Sequence, residues 1–164
     1  MAPEQLPKTI AASTQIHWRA KLASAAVGLL LASACQAKLG GDRASVLADQ
    51  TAWGASSSQA LIGSASGATV FTLTLGNGLN VRQYVDASGC VFAVAWDGPV
   101  LPDFVRLLGD HFADYADAQR QQKRGVNVQN ASLVIESGGM MRSFGGRAYL
   151  PAKLPTTLTV QDIR

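Results

Sequence analysis

"ATVFTLTLGNGLNVRQYVDASGCVFAVAWDG", residues 68–98, decides the fold. It divides into three runs, "ATVFTLTL", "LNVRQYVD" and "CVFAVAWDG", separated by "GNG" and "ASG". Each run is rich in β-branched and aromatic residues, which fit a pleated, half-buried surface. Asn77 and Gly78 tolerate the positive φ that a tight hairpin demands. The stretch therefore predicts a three-stranded antiparallel meander. Side chains alternate along a strand, so the runs also assign faces. Phe71, Leu73 and Leu75 share one side of the first strand, and Leu79, Val81, Gln83 and Val85 one side of the second. In the third, Cys90, Phe92, Val94 and Trp96 are expected on one side and Val91, Ala93 and Ala95 on the other.

Downstream the period changes to that of a helix. Pro102 suits a first helical turn and Asp103 its positive end. Phe104, Leu108, Phe112 and Tyr115 recur every three or four residues, an apolar stripe that matches the Phe92 and Trp96 face. Asp110, Asp114 and Asp117 take the polar side. Arg120, Lys123 and Arg124 fall near the C-terminal end, where the helix dipole favours cations without any ligand. "ASLVIES" and "MMRSFGGRAYL" then read as a fourth and a fifth strand, with a hairpin turn at Gly138-Gly139. Gly145-Gly146, inside the last run, marks a bulge or a close backbone approach. Upstream, "GDRASVLADQTAW" reads as a helix capped by Asp42, with Val46, Leu47 and Trp53 on related turns. Residues 55–68 read as a flexible connection of small residues. The expected fold is α+β: an antiparallel sheet of about five strands in the order β-β-β-α-β-β, with one main amphipathic helix on one face. The second face carries Val70, Thr72, Thr74, Arg82, Tyr84, Val91, Ala93 and Ala95, a semi-apolar surface that calls for cover by chain, partner or ligand.

Residues 1–37 do not belong to that domain. Lys8, Arg19 and Lys21 precede the apolar run "LASAAVGLLLASA", residues 22–34. The run is short for a bilayer span and fits the h-region of an export signal. Cys35 and Ala37 supply small side chains at −3 and −1, so cleavage is expected between Ala37 and Lys38, leaving one α+β domain over residues 38–164. The basic flank is long for such a signal, which points to a true start downstream of Met1. This reading places the protein in the periplasm or outside the cell, with membrane contact only through the signal. A competing reading is a lipobox ending at Cys35, giving an outer-membrane lipoprotein; against it, Ala32 stands where leucine is wanted and Leu31 is one residue too far. The whole chain has 14 Lys and Arg against 11 Asp and Glu, a net charge of +3. Cleavage would leave 11 against 10, or +1, which gives no electrostatic footprint for nucleic acid. It would also leave Cys90 as the single cysteine, so no internal disulfide is available.

Few residues suggest chemistry. "ESGGMMRSFGGRAYLP", residues 136–151, has the glycines of a phosphate loop, but no helix follows them, and neither GK[ST] nor GxGxxG is present. Arg142 and Arg147 are therefore read as exposed or cross-strand paired. Paired arginines can clamp a carboxylate, so Arg142 and Arg147, with Arg82 and Tyr84 of the second face, are the candidate ligand-binding residues. Cys90 with His111 is the candidate catalytic pair. Against it, the alternation of Cys90 with Phe92, Val94 and Trp96 suggests a buried thiol, and His111 lies beside the apolar stripe. No G-x-S-x-G is present, and no cluster of His, Cys or carboxylates has metal-ligand spacing, so neither metal nor cofactor is expected. "NAS" at Asn130 matches a glycosylation acceptor.

"LGGDRASV", "GLNVRQYVDASGCVFAVAWDGPVLPDF" and "SGGMMRSFGGRAYLP" resemble the domain of unknown function 2844 family, small exported proteobacterial proteins. The resemblance runs over residues 39–164 and implies no activity and no functional residues. It implies that "LGG" lies near the mature start, in agreement with cleavage at Ala37. It also implies that the Cys90 position is usually not cysteine, which weighs against a catalytic thiol. The leading expectation is an exported, non-enzymatic binding or assembly module of the cell envelope, which engages an envelope protein through its second sheet face. The alternatives are a thiol-dependent enzyme using Cys90 with His111 and a lipoprotein anchored at Cys35.

Overall fold

The computed structural model describes residues 38–62, 67–122 and 125–164. The export run, the cleavage site at Ala37, the lipidation site at Cys35, and Lys123 and Arg124 lie outside the described residues. The elements in chain order are α1 (Arg43–Trp53), β1 (Ser56–Ile62), β2 (Ala68–Thr74), β3 (Asn80–Val85), β4 (Val91–Gly98), α2 (Phe104–Leu108), α3 (Phe112–Gln121), β5 (Val126–Gln129), β6 (Val134–Met140) and β7 (Ser143–Tyr149). The strands form one antiparallel sheet in the order β1-β2-β3-β4-β7-β6-β5. The class is α+β, but the sheet has seven strands where five were expected. The two additional strands have physical explanations. Residues 56–62, expected to be a connection, pair with β2 along their whole length as β1. Six of the seven are exposed, so no apolar alternation marked them. β5 is only four residues long, too short for a periodic signal.

Helix ends follow their capping residues. The Asp42 carboxylate accepts a hydrogen bond from the Ser45 amide at 2.9 Å to open α1, and Gly54 closes it with a φ of 57°. The predicted downstream helix begins at Phe104, with Asp103 accepting from the Arg106 amide at 3.2 Å. It is broken at Gly109, where a short 3-10 turn, Gly109–His111, separates α2 from α3. Trp96 meets Phe104 edge-on at 5.1 Å, and Phe104 stacks on Tyr115 at 4.3 Å, so the stripe packs on the Trp96 face as its spacing predicts. Leu47, expected on turns related to those of Val46 and Trp53, is exposed.

One bulge corrects the face assignment. Tyr84 pairs with Ala93 and Val85 with Val91, which leaves Phe92 as the extra residue. Beyond a bulge the alternation shifts by one. Val91 therefore joins Val94 and Trp96 under the helices, and Phe92 joins Ala93, Ala95 and Tyr84 on the opposite face. That second face is covered by the chain itself. Leu154, Leu158, Val160 and Ile163 of the C-terminal segment pack against Tyr84, Phe92, Ala93 and Ala95.

The hairpin expected at Gly138-Gly139 turns three residues later. Both glycines are within β6, which pairs with β7 out to Met140 opposite Ser143. Gly139 keeps a positive φ, 138°, but inside the strand. The loop itself is Met141-Arg142, with φ values of 50° and 66°, the two positive angles of a type I′ turn. Gly145-Gly146 introduces no bulge, since the register with β4 and β6 is continuous. A Cβ on Gly146 would come within 2.5 Å of both the Glu136 carbonyl oxygen and the Trp96 ring, so close approach is the reason for that glycine.

Side chains at Met141 and Arg142 strain that turn, whereas Asn-Gly accommodates it. Replacing the pair by Met141→Asn and Arg142→Gly is expected to raise stability by about 1 kcal/mol. Urea unfolding checks this; an unchanged or lower midpoint would contradict the turn geometry.

Candidate functional site

The sequence-predicted residues fall in separate places. Cys90 lies in the loop before β4 and is half-buried, not enclosed as its alternation implied. The bulge removes it from the Trp96 series, and its thiol is 3.0 Å from the Lys153 ammonium, which donates to it. That contact holds the Lys153 amine above its ordinary range. His111 sits in the 3-10 turn before α3, and no hydrogen bond joins it to Cys90.

Three of the four candidate ligand-binding residues bind the protein itself. Arg147 donates through Nε to Glu136 at 2.8 Å, and through Nη1 to the carbonyls of Val160 and Ile163 at 2.7 and 3.3 Å. It is a cross-strand pair, as expected, and it also clasps the C-terminal segment. The Tyr84 hydroxyl donates to the Arg164 carbonyl at 3.0 Å and accepts from the Arg164 amide at 3.1 Å. Arg82 pairs with Asp97 at 2.6 Å. Arg142 stands exposed at the tip of the β6–β7 hairpin.

A groove beside the glycine-rich hairpin was not apparent in the sequence. A cavity of about 540 Å³ is lined by Trp96, Ser137, Gly138, Gly146, Arg147 and Ile163, among others. A second, of about 330 Å³, adds Leu101, Tyr115 and Phe144 and shares Ser137 and Gly138 with the first. Gly138 opens the groove, because a Cβ there would meet nothing within 4 Å. Trp96 is 1 % exposed, and its indole N–H has no hydrogen-bond acceptor. A buried indole N–H normally finds one. The lining charges are Glu136 and Arg147, already paired, with Arg164 at the margin. The groove is thus lined by the Trp96 residue that carries this unsatisfied donor and by the glycine backbone of Gly138 and Gly146. It presents no nucleophile beside a free base. The signal that could have found it is the pair of glycine-rich runs in neighbouring strands, where Gly138 lies opposite Gly145 and Ser137 opposite Gly146.

The most displaced carboxylate lies elsewhere. Asp49 of α1 is fully buried and accepts from Gln83 Nε2 at 3.0 Å, with Arg106 at 3.5 Å. Burial pushes its pKa to about 6, against the opposing pull of Gln83 and Arg106. It lines neither cavity, so its displacement concerns stability. Among the described residues no group of three or more His, Cys, Asp or Glu could hold a metal ion, and no helix is long and apolar enough to cross a membrane.

Fold and groove together define a small α+β protein with a groove beside the β6–β7 hairpin of a covered sheet. Residues 35–163 match the family described as Protein of unknown function (DUF2844), and the chain belongs to that family. No curated protein and no solved structure was found to match.

Because the folded-state pKa of Asp49 is raised above 3.8, its protonated form favours the fold. That contribution is complete below about pH 4 and is lost as pH rises from about 4 through about 6, a change of order 2–3 kcal/mol. Asp49→Asn should flatten the pH dependence of the melting temperature across that window. A variant that keeps the wild-type slope would show that another group is responsible.

Proposed function

We propose that the chain is an exported, non-enzymatic binding module of the cell envelope, whose ligand lies in the groove between Trp96 and the β6–β7 hairpin. The observation that carries this reading is the buried Trp96 indole N–H, which has no acceptor, on a residue that lines a cavity of about 540 Å³. A bound carbonyl or carboxylate oxygen would satisfy it, and Gly138 lets such a group approach the backbone. Export is supported by the basic flank, the apolar run over residues 22–34 and the small residues Cys35 and Ala37. The second sheet face no longer serves as the binding surface, because the C-terminal segment occupies it.

The test uses a panel of N-acetylated di- and tripeptide amides as probes, followed through the Trp96 indole resonance in proton–nitrogen spectra. At least one probe is expected to move that resonance. Gly138→Val should fill the groove without disturbing the fold, and Trp96→Phe should remove the donor together with part of a buried ring, so its loss of stability is measured by unfolding alongside its loss of binding. Each is expected to weaken binding at least tenfold. Binding that survives Gly138→Val unchanged, or a panel that leaves Trp96 unmoved, would defeat the reading.

A further inference from the structure

The groove lies at the β7-β6-β5 side of the sheet; the opposite edge is a different surface. β1 is the outermost strand, paired with β2 on one side. Its sequence, Ser56-Ser57-Ser58-Gln59-Ala60-Leu61-Ile62, contains no charge and no proline. Those are the usual devices by which an edge strand avoids pairing with another chain. Leu61 is 78 % exposed. The other edge is protected differently. β5 is four residues long, and the Gln122 side chain both donates to the Asn127 carbonyl, at 2.8 Å, and accepts from the Asn127 amide, at 2.7 Å. A side-chain amide there takes the place of a neighbouring strand. Over residues 56–61 no such group is found among the described residues.

We propose that the β1 edge is a self-association surface, on which a second copy of this chain pairs its own β1 antiparallel about a two-fold axis at Gln59. Pairing of residues 57–61 of the two copies puts Gln59 opposite itself, Ser58 opposite Ala60 and Ser57 opposite Leu61. No like charges meet, and each Leu61 lies across a small serine of the other copy. Both faces of the edge are recessed. A hollow of about 290 Å³ lies beside Arg43, Gln59 and Thr69, and one of about 520 Å³ beside Leu61, Tyr84 and Leu158. An added strand directs its side chains alternately to the two faces, one set towards each hollow. An uncharged edge has no sign with which to select a complementary foreign strand. Isologous pairing satisfies all of it with a copy always present at equal concentration.

Sedimentation equilibrium of the chain, in the form its host accumulates, tests this directly. The mass is expected to rise from one chain to two with concentration. Gln59→Lys sets two ammonium groups face to face at the axis, and Gln59→Glu sets two carboxylates there while keeping an acceptor for Arg43, which now donates to Gln59 at 3.2 Å. Each variant alone should associate at least tenfold more weakly, with unchanged circular dichroism, and an equimolar mixture of the two should recover the dimer. A wild-type chain that stays monomeric, a dimer indifferent to Gln59→Lys, or a mixture that does not recover would each overturn the proposal. None of these outcomes bears on the Trp96 groove.

Discussion

The fold depends on a constraint set by β4. Residues 91–96 are all at most 1 % exposed. An antiparallel strand with one wet face alternates between buried and exposed residues; a run without alternation requires cover on both sides. α1, α2 and α3 supply one cover and the C-terminal segment the other. The Phe92 bulge divides the large residues between them: Trp96 packs on Phe104 under the helices, and Phe92 lies 6.2 Å from Tyr84 on the opposite face. Ala93 and Ala95, small and on the Phe92 side, allow an irregular segment to lie close to the sheet.

That irregular segment has backbone carbonyls that no ladder satisfies. Arg147 meets the need because a guanidinium carries five donors in one plane. Its Nε donates to Glu136, its Nη2 lies 2.7 Å from the same carboxylate oxygen, and its Nη1 is directed at Val160 and Ile163. Tyr84 does the same for Arg164 with one hydroxyl that both donates and accepts. Arg147 and Tyr84, two of the residues that suggested ligand recognition in the sequence, bind the chain's own end. Their chemistry was legible in the sequence; the identity of the acceptor was not, since Arg147 and Val160 meet only after the sheet has formed.

The meander and the capped helices were legible because each rests on local rules, alternation in β2 and β3 and the Asp42 cap of α1. The misreadings share a cause. The Phe92 bulge has no glycine to announce it, and the β6–β7 turn uses Met141 and Arg142 where glycines three residues earlier offered an easier site. Pairing across the sheet chose the register in both cases and overrode local preference. β1 was hidden because an exposed strand of serines carries no hydrophobic period. The groove was hidden for a related reason: Gly138 and Gly146 become one surface only when β6 and β7 are side by side.

Two groups withdrawn from solvent show how burial can lead to different outcomes. Asp49 Oδ1 and the Trp96 indole nitrogen both lack a hydrogen-bond partner. A carboxylate can respond internally, by holding a proton, and the rise of the Asp49 pKa to about 6 is that response. An indole cannot, because its nitrogen carries a fixed proton and accepts nothing. Its unmet donor can be answered only by an acceptor from outside the side chain's own chemistry. Asp49 lies between α1, β3 and α2, where its neighbours Gln83 and Arg106 are protein groups. Trp96 borders a cavity that Gly138 and Gly146 leave open. The same physical cost is therefore relieved by a proton at Asp49, whose own contribution to stability grows as pH falls, and is left standing at Trp96, whose fixed donor has no acceptor within the fold.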